Sequence, residues 1–189
     1  MGFSQAGAGA GRFGLISAAD RVAPALLTAL EGLKLARREL DCVEADPERW
    51  RWVAVGLVTA LSGAAIAALS GYATAGEQDI RDPNDRSRMA PLRLLLRRAK
   101  SDRYLVPPEQ LPASASAVDA ALRLADYRNQ VLHGGRAACP ATVVSDTGRA
   151  VDMISHFILR APAFDPAPHQ LQAILNTFSK GRRWNSTKM

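Results

Sequence analysis

The stretch DPERWRWVAVGLVTALSGAAIAALSGYATAG, residues 46–76, decides the class of fold. Asp46-Pro47-Glu48 marks a helix start: a side chain that can cap free amides, a proline at the first helical position, and an acid near the positive end of the helix dipole. From Trp52 to Gly76 no residue is charged. That is long enough to cross a bilayer. Its makeup argues against insertion, because Ala, Gly, Ser and Thr predominate over three Leu, three Val and one Ile. A helix with no polar face also suits the centre of a bundle. A buried helix from Pro47 to about Tyr72 is therefore expected, ahead of a single membrane span.

Outward from this segment the apolar period stays helical. Ser17-x-x-Asp20 offers a capping pair for a first helix, with Pro24 in an early turn and Leu26, Leu30, Leu33 and Leu40 along one face up to about Val43. Residues 81–87 are polar and read as a loop. A basic third helix follows through Leu92, Leu95, Leu96 and Ala99, and residues 106–112, with three prolines, read as a turn-rich linker. Ser116-x-x-Asp119 is expected to cap a fourth helix that stops at Gly134-Gly135. Val143 and Val144 read as a short extended piece. Asp146 or Thr147 opens a fifth helix carrying Val151, Ile154, Ile158 and Leu159. Past Pro162, Pro166 and Pro168, a short last helix holds Leu171, Ile174, Leu175 and Phe178. No useful strand pattern and no repeat is visible. The expected class is all-α, an up-and-down bundle of five to six helices. It divides into a flexible arm (1–16), a helical domain (17–179) and a basic tail (180–189).

The 189 residues suit one such domain, and the 48% hydrophobic and 22% charged content is that of a globular chain. The net charge of +6 is uneven. Residues 1–80 carry −2, residues 81–104 carry +5, residues 105–179 carry −1 and residues 180–189 carry +4. Twenty of the 24 basic residues are Arg, the side chain that grips phosphate with a planar fork. Arg93, Arg97, Arg98, Lys100, Arg182 and Arg183 are thus candidate nucleic-acid contacts, against the alternative of an ordinary solvated face.

Two cysteines, Cys42 and Cys139, and three scattered histidines build neither a disulfide framework nor a metal centre. They are expected to be reduced thiols in the cytoplasm. The N-terminus has no basic region followed by a leucine-rich core, and Ala6 breaks the myristoylation pattern. Gly9, Gly11 and Gly14 spell G-x-G-x-x-G without a preceding strand, so no dinucleotide site is expected.

The fourth helix carries the chemistry. At about 100° per residue, Val118, Ala121, Leu122, Ala125 and Leu132 form one stripe, and Ala120, Leu124, Tyr127 and Val131 a second on nearly the opposite side. Two apolar faces call for two partners, one of which is expected to be a second copy of the chain. Asn129 falls near the centre of the first stripe, with Arg128 and His133 on its flanks. Unpaired, such groups are costly to bury. His156 beside Phe157 reads as core or surface, His169 as solvated, and Trp50 and Trp52 as packing at the base of the bundle. Trp184 is a further aromatic able to stack on bases.

Arg128-Asn129-Gln130-Val131-Leu132-His133 resembles the R-x(4–6)-H motif of the HEPN domain superfamily, including the polar residue that follows the Arg. The resemblance covers roughly Pro24 to Arg160. It implies a homodimer in which two motifs meet in a cleft. It also implies metal- and cofactor-independent RNA cleavage, often by a toxin or defence effector, with Arg128, Asn129 and His133 as catalytic residues. Inactive members bind RNA, nucleotides or partner proteins, and that is the alternative function. Some members pair with an antitoxin that modifies a tyrosine two residues past the His; Gly135 stands there in this chain. Cleavage through the ribose 2′-hydroxyl needs a base, an acid and a cation for the phosphorane. Imidazole changes charge near neutral pH. Two His133 side chains would divide base and acid, Arg128 would hold the phosphate, and Asn129 would orient His133 or touch the phosphate.

Overall fold

The central helix forms as its first residues dictate. In the computed structural model, which describes residues 18–71, 76–134, 138–160 and 169–180, Asp46 is extended and its carboxylate accepts the Glu48 amide at 3.1 Å. Pro47–Arg49 make a single 3-10 turn that runs into α2 (Trp50–Gly71), so the α-helix proper starts three residues later than the proline suggests. Of its most apolar 18-residue window 83% is buried by the rest of the chain, as a central bundle helix requires. Trp52 corrects one expectation. It is 40% exposed instead of packed at the bundle base, whereas Trp50 is half-buried against the core.

Helix α1 (Ala18–Leu40) lies antiparallel to α2. Leu33 and Leu40 are buried as expected, but Ala25, Ala29 and Ala36 fill the rest of the face, and Leu26 and Leu30 are only partly covered. The reason is closeness. A Cβ on Gly32 would sit 2.6 Å from the Gly56 carbonyl oxygen, and one on Gly63 would sit 2.7 Å from the Ala25 carbonyl oxygen. The two backbones touch, and only Gly and Ala fit between them.

One buried carboxylate ties the start of α2 to the end of α1. Glu39 is 5% exposed and is held by Arg38 at 2.9 Å and Arg49 at 3.1 Å, while Arg49 also reaches Asp46. Burial pushes this carboxyl up, but the two guanidiniums outweigh it and hold it below its ordinary value. An unfolded glutamate titrates near ~4.3. The stabilisation is therefore fully present above that pH and is lost as pH falls through the lower folded value. We expect Glu39→Gln to lower the melting temperature at pH 7, with the gap to the parent shrinking towards pH 3. Thermal melts across this range check it.

Beyond α2, residues 76–90 turn back on themselves. Asp82 N donates to Arg88 O at 3.0 Å and Ala90 N to Ile80 O at 2.9 Å. The bridge between Arg81 and Met89 is isolated, and no strand forms among the described residues. Helix α3 (Leu92–Ala99) buries Leu95, Leu96 and Ala99. The linker after it satisfies its free carbonyls: Leu111 N donates to Ala99 O at 2.9 Å and Gln110 Nε2 to Lys100 O at 2.7 Å. Helix α4 (Ala115–Leu132) and helix α5 (Val143–Ser155) pack against α2, and α6 (His169–Lys180) closes over α1. The π-helical turn His156–Arg160 continues α5 and buries Phe157 and Ile158. The class is an all-α bundle, as read from the sequence.

Three boundaries differ from the reading. Ser114, not Ser116, caps α4, accepting the Ala117 amide at 3.2 Å. Val143 and Val144 are the first turn of α5, so their β-branched character misled, and the helix begins before Asp146. Helix α1 ends at Leu40, with a turn through Val43. The arm 1–16, the 181–189 part of the tail with Arg182, Arg183 and Trp184, and Gly135 lie outside the described residues.

Candidate functional site

Helix α4 holds the motif residues on its last turns. In its first half both apolar stripes are covered: Ala121 and Leu122 on one side, Ala120 and Leu124 on the other. Tyr127 extends the second stripe and is buried. The first stripe then emerges into solvent. Leu132 is 48% exposed and Asn129 is exposed, which corrects its placement in a buried stripe. His133 is exposed at the C-cap, its amide donating to Asn129 O at 3.0 Å. Gly134 follows at φ +77°, a left-handed residue that ends the helix as expected.

Arg128 is half-buried. Its Nη1 donates to the Asn129 Oδ1 at 2.9 Å, and its Nε is covered with no hydrogen-bond partner among the described residues. No carboxylate pairs with it there. Residues 129 and 133 lie one turn apart on one face, while 128 and 133 diverge by about 140°. The Asn129 carboxamide, on the helix face that carries His133, thus accepts from the guanidinium through Oδ1 and keeps Nδ2 as a donor.

Arg123, earlier on the same helix, shows the opposite situation. It grips the buried Asp146 through Nε at 3.1 Å and Nη2 at 2.6 Å, and Thr142 Oγ1 adds 2.9 Å. The hydrogen bond to Asp146 raises the arginine further above its ordinary value. This pair pins α4 to α5. Asp146→Ala removes three charge-assisted bonds from a buried position, so a loss of about 2–3 kcal/mol is expected in urea unfolding.

Sequence reasoning missed one neighbour of the motif. The Tyr127 hydroxyl meets the Cys139 thiol; burial first, then the thiol, pushes the hydroxyl up, opposed by the charge of Arg51. Burial at the sulfur, opposed by the Tyr127 hydrogen bond, likewise raises the thiol, although Cys139 as a whole residue is exposed. Only the position of Tyr127 next to Arg128 could have signalled this. Both cysteines are free and exposed. His156 is a core histidine, its Nε2 lying 3.3 Å from Glu109 O. His169 is exposed.

The basic candidates divide. Arg93 and Arg97 are exposed on α3, Lys100 is half-buried, and Arg98 turns inward to backbone carbonyls. Among the described residues no cluster of His, Cys, Asp and Glu could hold a metal. The chain matches no family model, no curated protein and no solved structure.

Proposed function

We propose that the chain is a HEPN-type endoribonuclease that acts as a homodimer and cleaves RNA through the ribose 2′-hydroxyl without a metal. One observation carries this reading. The Arg128 guanidinium is bonded to a neutral amide and not to an acid, and an exposed imidazole stands at the end of the same helix. A guanidinium so held keeps its full charge for a phosphate. Arg123, on the same helix, is instead built against a buried carboxylate.

In the proposed reaction one His133 takes the 2′-proton, and the 2′-oxygen bonds to phosphorus. The bond to the 5′-oxygen breaks, and the partner's His133 protonates the leaving oxygen. The products end in a 2′,3′-cyclic phosphate and a 5′-hydroxyl. Arg128 stabilises the extra negative charge on the phosphorane. Asn129 keeps Arg128 in place and offers Nδ2 to the same phosphate.

The test is incubation of purified protein with RNA in chelator, beside His133→Ala. Cleavage by the parent and its loss in the variant support the reading. Salt-sensitive binding without cleavage by the parent would instead favour the non-catalytic module. A toxin or defence role, an antitoxin partner and a cytoplasmic site extend the same reading and would be met in cells, by growth arrest on expression.

A further inference from the structure

Residues 76–104 form one unit built around Arg98. Its Nη1 donates to Asp79 O at 2.7 Å and Arg81 O at 3.1 Å, and its guanidinium lies 5.9 Å from the centre of the Tyr104 ring. Arg103 approaches the same ring at 5.6 Å. The turn of residues 80–90, α3 and Tyr104 are thus held together by one half-buried side chain.

On the outside of this unit Arg86, Arg93, Arg97 and Arg103 are exposed, and none pairs with a carboxylate among the described residues. Several arginines elsewhere do have acid partners: Arg37 with Asp41, Arg49 with Glu39, Arg51 with Glu48, Arg123 with Asp146. The acids of the turn serve backbone and hydroxyl groups. Asp82 accepts the Asn84 amide at 2.9 Å, and Asp85 accepts the Ser87 amide at 3.0 Å and its hydroxyl at 2.6 Å. Arg88 is the one exposed arginine of the turn whose charge reaches Asp85.

We propose that Arg93 and Arg97, together with the exposed Arg86 and Arg103 of the same segment, bind the phosphodiester backbone of RNA without reading sequence. That the polyanion is RNA rests on the proposed function; the unneutralised cationic face does not. Arg93 and Arg97 stand one helical turn apart, about 6 Å along the axis, and each offers a planar fork. Arg98 is excluded from the contact and acts as a positioning residue. A membrane surface fits less well. An interfacial helix turns its apolar side to lipid, and α3 spends Leu95, Leu96 and Ala99 on the core.

The experiment uses the full chain and a fluorescent 2′-O-methyl single strand of about 20 nucleotides, which cannot be cleaved, titrated by anisotropy from about 50 to 300 mM salt. Arg93→Gln with Arg97→Gln should weaken binding at least ~10-fold and flatten the log–log salt slope by about 1.4, the value for two lost contacts to a single strand. Arg86→Gln with Arg103→Gln should flatten it likewise without altering α3. Lys34→Gln, a basic residue of α1 already paired with Glu31, should bind as the parent does; the strand cannot be cleaved, so a failure of the cleavage reading leaves this face standing. Unchanged slopes in both double variants, no binding by the parent at the lowest salt, or tighter binding to phosphatidylserine vesicles than to the strand would overturn the proposal.

Discussion

Gly56→Ala is expected to lower the unfolding free energy by about 3–5 kcal/mol, and Gly148→Ala to raise it by up to ~1 kcal/mol, in the same urea titration followed by circular dichroism. Both substitutions add one methyl group to a helix. At Gly56 the new Cβ would lie 2.7 Å from the Ala36 nitrogen and 2.7 Å from the Gly32 carbonyl oxygen. These are backbone atoms and cannot swing aside. The helices must move apart, and the loss then spreads along the whole seam from Ala25 to Ala36, where every contact depends on the same separation. At Gly148 nothing lies within 4 Å, so alanine brings only its better helix propensity. A cost below ~1 kcal/mol at Gly56 would mean that α1 slides on α2 freely, contrary to a close-packed seam.

That seam also marks where the sequence was legible and where it was not. The charge-free run from Trp52 announced a helix without a polar face, and the structure buries it. The leucines of α1 drew attention to Leu26 and Leu30, yet the tightest packing uses Ala29, Gly32 and Ala36. Small residues carry little apolar area, so a pattern built on hydrophobicity passes over the positions where helices come closest. Val143 and Val144 failed for a related reason: a local β preference is weak beside the packing of α5 on α2.

For the candidate site, helix placement and the glycine stop were readable, because periodicity and a left-handed glycine are local, although the cap lies at Ser114 and not at Ser116. Exposure was not. A helical wheel shows which residues share a stripe but not how far along the helix a neighbour covers it. Asn129 and Leu132 sit beyond that cover. Arg98 carried the same ambiguity. In sequence it is one more basic residue beside Arg97, and only the fold distinguishes a side chain bonded to two carbonyls from one facing water.

His133→Ala is expected to reduce RNA cleavage by about 10²–10⁴-fold, the usual worth of a positioned proton-transfer group. Stability should change by no more than ~0.5 kcal/mol, since the side chain is exposed. Arg128 separates charge from geometry. Arg128→Lys keeps the cation but loses the planar fork and the bond from Nη1 to Asn129. If Arg128 acts on the phosphorane, the lysine variant should fall between the parent and Arg128→Ala in kcat, with KM little changed. Asn129→Ala should resemble Arg128→Lys, because the guanidinium then loses its bond to the Asn129 carboxamide. A merely structural Arg128 gives another pattern: all three variants would lose melting temperature, and cleavage per folded molecule would stay constant. Mixing His133→Ala with Arg128→Ala protomers extends the argument to the dimer. A shared cleft predicts that the mixed species recovers some cleavage only if base and cation for one phosphate come from different chains, since the intact His133 and the intact Arg128 then lie on opposite protomers. If each phosphate needs both chains intact, the mixture stays inactive, and the pairing of roles across the two motifs follows from which result is seen.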